Sequence, residues 1–135
     1  MRNDTPIKAV IIDDRENIVR AQWEEARCGS GYNAVFLSRF STPDEAAENA
    51  VAECPDIVFV DYIYDSPAHA YGDDVNGESI VRALREKGFT GAIYGNSSLG
   101  PRVFSLVKHL MDGCLPGKGE GMCTVLRAVR ESLRK

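Results

Sequence analysis

Short runs of β-branched and aromatic residues alternate along the chain with stretches of helical spacing. Ile7–Ile12 and Ile57–Val60 are almost wholly apolar, the pattern of parallel strands buried on both faces. Two further strands are predicted at about 34–37 and at Ala92–Gly95, with Cys114–Leu115 as a short fifth. Val19, Trp23 and Ala26 fall at i, i+4 and i+7 and predict a first helix from about Glu16 to Arg27, stopped by Gly29. Thr42-Pro43-Asp44-Glu45 combines a capping box with proline at the first helical position. The second helix therefore starts at Pro43, runs through Ala46, Ala47 and Ala50 to about Glu53, and ends before Pro55. A third, about Gly77 to Lys87, carries Ile80, Ala83 and Leu84 on one face and closes at Gly88. A fourth, about Pro101 to Met111, aligns Val103, Leu106, Val107 and Leu110. The last is the clearest: Met122, Val125, Leu126, Val129 and Leu133 form one stripe, with Arg127, Arg130 and Glu131 toward water. Five strands alternating with five helices predict an α/β doubly wound sandwich with right-handed crossovers and helices on both faces.

Composition narrows the function classes. At 135 residues the chain reads as one domain, residues 1–135, with no output domain beside it. A net charge of -4 offers no basic stripe to follow phosphates, which disfavours direct nucleic-acid binding and favours a protein partner. Met1-Arg2-Asn3-Asp4-Thr5-Pro6 lacks the apolar core of a signal peptide, and no apolar run approaches the roughly 20 residues a membrane helix needs. The expectation is a cytoplasmic protein without a membrane contact. Cys28, Cys54, Cys114 and Cys123 show no C-x-x-C spacing, so they are expected to be reduced and mostly buried thiols rather than a zinc site or redox pair.

The chemistry lies at the strand ends. Asp13 and Asp14 close the first strand and Asp61 closes the third, some fifty residues on. In doubly wound sheets the carboxyl ends of the strands form the ligand crevice. Three carboxylates gathered there repel one another, an arrangement explained by a hard cation among them or by the chemical use of one. Taken singly, each acid has a plain alternative: Asp13 or Asp14 as a helix N-cap, Asp61 as a polar strand end.

The acidic pair after strand one, Asp61 after strand three, Gly77 opening helix three in Asp74-Val75-Asn76-Gly77, the hydroxyls after strand four in Asn96-Ser97-Ser98, and Lys118 in Leu115-Pro116-Gly117-Lys118 together resemble the receiver domain of bacterial two-component response regulators. The resemblance spans essentially the whole chain and implies a flavodoxin-like parallel sheet of order 2-1-3-4-5. It also implies that Asp61 is the phosphoacceptor, taking a phosphoryl group from a histidine kinase or phosphotransfer protein to form an aspartyl phosphate. Asp13 and Asp14 would then hold Mg²⁺ with Asp61 and the backbone carbonyl of Ile63, Lys118 would pair with Asp61 and afterwards with the phosphoryl group, and Ser97 or Ser98 would bond a phosphoryl oxygen. Ser97 is preferred, and counting from the strand end does not separate the two. His69 and His109 receive no role.

Three features depart from the family pattern. Fifteen residues separate Asp61 from Gly77, and the extended loop 62–76 carries three tyrosines, readable as a lid, a partner contact or a tolerated insertion. Lys118 lies between Gly117 and Gly119 where the family usually has Lys-Pro in a cis peptide, which predicts a looser loop. Cys114-Leu115 stands where the family's switch aromatic would be. The leading reading is a stand-alone phosphoacceptor receiver, Mg²⁺-dependent and acting through contacts with a kinase and a downstream protein, with the oligomeric state open to a homodimer. It is not an enzyme beyond self-phosphorylation from a phosphodonor and autodephosphorylation. The alternatives are a receiver-like scaffold that is never phosphorylated and, more remotely, an aspartyl-nucleophile phosphohydrolase. The latter needs a second Asp two residues after the nucleophile, where Ile63 follows Asp61 and Arg15 follows Asp13.

Overall fold

The computed structural model describes residues 5–67 and 69–134. The stretch read as lacking a signal peptide lies mostly outside them, in residues 1–4. Five parallel strands, β1 (Ile7–Ile12), β2 (Tyr32–Leu37), β3 (Ile57–Val60), β4 (Ala92–Gly95) and β5 (Gly113–Cys114), form one sheet in the order β2-β1-β3-β4-β5. Helices α1 (Glu16–Ala26), α2 (Pro43–Ala52) and α3 (Gly77–Glu86) and a 3-10 helix (Pro101–Leu110) make the crossovers, and α4 (Met122–Leu133) follows β5. No helix among the described residues is long and apolar enough to cross a membrane.

The two-residue period of the strands divides the core. Val10, Ile12, Val58, Val60 and Ile93 face α2, α3 and the 3-10 helix, in one cluster with Phe40, Ala46, Ala47, Ile80, Leu84, Phe104 and Val107. Ala9, Ile11, Ile57 and Phe59 face the other way, packing with Val19 of α1 and Met122, Leu126 and Val129 of α4. β1 and β3 are buried on both faces because they are interior strands of a parallel sheet, and this explains their unbroken apolar runs.

Caps fix the crossovers locally. The Thr42 side chain accepts from Glu45 N at 3.1 Å, and the Glu45 carboxylate reaches back to Ser41 N at 2.6 Å, one residue earlier than in a standard capping box. Thr42→Ala is expected to cost about 1 kcal/mol by urea denaturation, the usual worth of a threonine cap.

Several local expectations are corrected. The turn that ends α1 is made by Arg27 in the left-handed region, φ 49°, before Gly29 is reached. β2 begins at Tyr32, earlier than the apolar run suggests, and β5 at Gly113 rather than Cys114. The segment Pro101–Leu110 is wound as a 3-10 helix, with three residues per turn instead of 3.6. Its inward face is therefore Phe104 and Val107, three apart, and Leu106 is left 68% exposed. In α4, Leu133 is exposed and Arg130 is half-buried rather than fully turned to water. It lies over the Tyr32 ring at 4.5 Å and donates to Gly31 O.

The cysteines are the largest correction. Cys28, beyond the end of α1, and Cys123, in the first turn of α4, form a disulfide with Cα atoms 5.3 Å apart, while Cys54 is exposed and Cys114 half-buried. Sequence spacing does not expose this pair, because it is joined across two helices that only the finished sheet brings side by side.

Candidate functional site

Just beyond the strand ends, four backbone amides continue the parallel ladder. Asp13 N donates to Leu37 O at 3.0 Å, Asp61 N to Ile12 O at 3.1 Å, Asn96 N to Val60 O at 2.9 Å and Leu115 N to Gly95 O at 2.8 Å. Each loop is thereby anchored to the last carbonyl of the neighbouring strand. With strands about 4.8 Å apart, Asp13, Asp61 and Asn96 stand in a row. Strand parity turns positions 13, 61 and 96 toward the α1 and α4 side, the side on which Lys118 precedes α4.

Asp13, Asp14 and Asp61 are all buried, and a carboxylate oxygen from each lies within 4.8 Å of the others. Lys118 Nζ sits between two of them, 2.8 Å from Asp13 Oδ2 and 3.0 Å from Asp61 Oδ2. The second contact is a hydrogen bond; the first is an ion pair of short distance but poor alignment, which leaves Asp13 Oδ2 buried without an aligned donor. The other oxygens are engaged locally: Arg15 N donates to Asp13 Oδ1 at 2.8 Å and Tyr62 N to Asp61 Oδ1 at 2.7 Å. A cleft of about 330 Å³ opens onto this cluster, bordered by Asp14, Asp61, Ile63, Ser97, Ser98 and Lys118.

The electrostatics follow from this crowding. Burial, then the charge of Asp61, pushes the Asp13 carboxyl up to about 7 against the opposing pull of Lys118 and Arg15 N. Asp61 is also raised, chiefly by burial, with Lys118 and Tyr62 N opposing. Burial disfavours the Lys118 ammonium, yet Asp13 and Asp61 outweigh it and raise its pKa. Three carboxylates facing one ammonium leave excess negative charge in a site of hard oxygen donors, and one buried oxygen lacks an aligned donor. That donor set fits Mg²⁺, with Asp13, Asp14 and Asp61 as its side-chain ligands.

The extended loop between β3 and α3 is a wall built on the core. Tyr64 is buried, donates its hydroxyl to Ile12 O at 2.9 Å and meets Phe40 edge-on at 5.5 Å. Tyr71 packs on the same ring at 5.4 Å and donates to Ser38 O, and a His69 ring nitrogen lies 2.8 Å from Phe40 O. Tyr62 packs on Phe104. With its tyrosines held this way, the loop presents Asp65 N and Ser66 N to Asp14 Oδ2 at 3.0 and 2.9 Å. The long loop thus orients one of the three acids.

Gly77 is required by close approach. A Cβ there would lie 2.7 Å from Asp61 O and 2.6 Å from the Phe104 ring, so a side chain would push α3 off the site. The Lys118 loop is not loose either. Glu120 N donates to Gly117 O at 3.0 Å, closing a turn whose third residue, Gly119, has the φ of 79° that a type II turn demands.

Of the residues named from sequence, Asp13, Asp14, Asp61 and Lys118 converge, and Ile63 borders the same cleft. Ser97 is buried and its Oγ accepts from Leu99 N at 3.1 Å, whereas Ser98 is exposed at the rim. Asn96 was not singled out. It is 1% exposed and its Oδ1 accepts from Gly119 N at 2.7 Å. The available signal was its place, first after β4 and level with Asp61.

No protein-family model matches the chain, and no curated protein sequence matches it. Many solved structures do match in fold. A Francisella response regulator receiver domain superposes with TM-score 0.69 at 14% identity, over 94% of this chain and 98% of its own. A LuxR-family two-component response regulator from Aurantimonas gives 0.71 at 16% identity, over 95% and 87%. RcsB from Salmonella enterica, solved on a promoter with the phosphomimetic beryllofluoride, gives 0.68 at 15% identity, over 95% of this chain and 62% of its own. The fold is that of receiver domains.

Proposed function

We propose that this chain, whose fold is that of response-regulator receiver domains, is a phosphoacceptor phosphorylated on Asp61 by a histidine kinase or phosphotransfer protein, and that it signals through protein contacts. The observation that carries this reading is Lys118 Nζ placed between Asp13 and Asp61, beside a third carboxylate, at the mouth of a cleft. In this reading an Asp61 carboxylate oxygen attacks the phosphorus of a partner phosphohistidine. The P–N bond breaks, its electron pair leaves with the imidazole, and an acyl phosphate forms on Asp61. Asp13, Asp14 and Asp61 would hold Mg²⁺, which when bound would supply neutralising charge for the phosphoryl oxygens. Lys118 gives up part of its pairing with Asp13 and Asp61 to meet the added negative charge. Ser97, which lines the cleft, offers a hydroxyl to a phosphoryl oxygen in this reading. The protein takes and returns a phosphoryl group and is not a turnover enzyme.

Beryllofluoride with Mg²⁺ is the direct test. Saturating reagent is expected to shift the amides of Tyr62, Ser97 and Lys118 in a heteronuclear spectrum, and Asp61→Asn to abolish the shifts. An unchanged spectrum of the unmodified protein would exclude the phosphoacceptor reading and leave a receiver-like scaffold.

A further inference from the structure

The Lys118 turn carries glycine on both sides, yet its ammonium is held on two carboxylates with a geometry that needs a fixed backbone. No cis peptide helps it among the described residues. What ties the turn to the sheet is the Asn96 carboxamide: Gly119 N donates to Asn96 Oδ1 at 2.7 Å, and Asn96 is itself fixed by its own N donating to Val60 O at 2.9 Å. Gln22 of α1 closes the other side, its side chain 3.2 Å from where a Cβ on Gly119 would stand.

The cost of this arrangement is visible. Asn96 Nδ2 is buried and has no hydrogen-bond partner among the described residues. A buried donor left unpaired is expensive, and an apolar residue of similar size in this position would avoid the penalty. What such a residue would not supply is an acceptor for Gly119 N. We infer that Asn96 is a positioning residue, which sets Lys118 Nζ on Asp61 by anchoring the adjacent peptide to the end of β4. The lysine is thus presented by a turn that Glu120 N closes locally and that the Asn96 side chain, just beyond β4, ties to the sheet.

The importance of this anchor for phosphoryl transfer rests on the function proposed above, and the experiment separates the two. The intact protein and its Asn96→Ala and Asn96→Asp variants are compared without donor for Gly119 amide exchange and for the rate at which acetic anhydride labels Lys118. They are then compared with phosphoramidate and Mg²⁺ for phosphoryl uptake. In Asn96→Ala, Gly119 exchange and Lys118 labelling are expected to rise about tenfold, the worth of one hydrogen bond, and maximal phosphoryl uptake to fall by a similar factor with Mg²⁺ affinity unchanged. Asn96→Asp keeps the acceptor and is expected to restore Gly119 protection. Unchanged Lys118 labelling in Asn96→Ala would overturn the inference. So would a parallel loss of Mg²⁺ affinity and denaturation midpoint that Asn96→Asp fails to restore, since that is the mark of a merely structural residue. If the unmodified protein takes no phosphoryl group while Lys118 labelling still responds to Asn96→Ala, the phosphoacceptor reading falls and the positioning role stands.

Discussion

Asp13→Asn is expected to make the metal-free protein more stable at pH 8, by about 2 kcal/mol, and to make no difference near pH 4. Asp13 is buried and its carboxyl is pushed up to about 7 from an ordinary 3.8, first by burial and then by the charge of Asp61. A carboxyl raised in this way holds a proton in the folded state that it has already lost when unfolded. Its contribution to stability is therefore complete below about pH 4 and disappears as pH rises through about 7. Three pH units at about 1.4 kcal/mol each set an upper bound near 4 kcal/mol, and the asparagine, which gives up the ion pair with Lys118, recovers part of that. Asparagine is nearly isosteric with the protonated acid and keeps an oxygen for Arg15 N, so at low pH the two proteins are alike. Mg²⁺ reverses the order. At a hundredfold excess over its dissociation constant the ion stabilises the unsubstituted protein by about 2.7 kcal/mol, and it does little for a variant missing a ligand. Urea titrations at the two pH values, in EDTA and in Mg²⁺, read all four numbers. An equal effect of the substitution at both pH values would show that Asp13 does not titrate between them.

The same charge balance explains why the site could be found in the sequence. Asp13 and Asp61 end apolar runs, and a residue that ends a buried parallel strand has few positions to occupy: the ladder continues through its backbone N–H and sets its side chain beside that of the next strand. The strands and the three acids at their ends were legible in the apolar runs, whereas the strand order and the arrival of Lys118 beside those acids followed only from the resemblance to receiver domains. The interior of the 62–76 loop was not. Tyrosines in a polar stretch carry no period, and the contacts of Tyr64 and Tyr71 depend on Phe40, which arrives from the segment between β2 and α2. The fourth crossover misled for a different reason. Val103, Leu106, Val107 and Leu110 suit an α-helical stripe, but the chain winds this segment more tightly, with Phe104 filling the space beside Gly77 and Gly95. Tertiary packing around one ring therefore outweighs the amphipathic pattern of ten residues. Asn96 escaped because an asparagine after a strand reads as an ordinary turn residue, and only the 2.7 Å bond to Gly119 distinguishes it.

The disulfide leads to the second large effect. Reducing Cys28–Cys123, or replacing both with serine, is expected to lower stability by about 4 kcal/mol and the melting temperature by about 10 °C. The bond closes a loop with a sequence separation of 95, and constraining so long a segment removes much conformational freedom from the unfolded chain. The native side adds to this, because α1 buries only Val19 fully and is weakly held by burial alone. The bond fixes the C-terminal end of α1 to the first turn of α4. The acids and the lysine are held differently: Asp13 and Asp61 hang from ladder bonds to β2 and β1, and the Lys118 turn from Asn96. Reduction should therefore cost stability while leaving the beryllofluoride response intact at temperatures where the reduced protein stays folded. Calorimetry with and without dithiothreitol measures the first effect, and amide shifts under the same two conditions measure the second. A melting temperature unchanged by reductant would mean that the bond contributes nothing. Loss of the beryllofluoride shifts in a folded, reduced protein would mean that the site depends on the α1–α4 clasp rather than on the sheet.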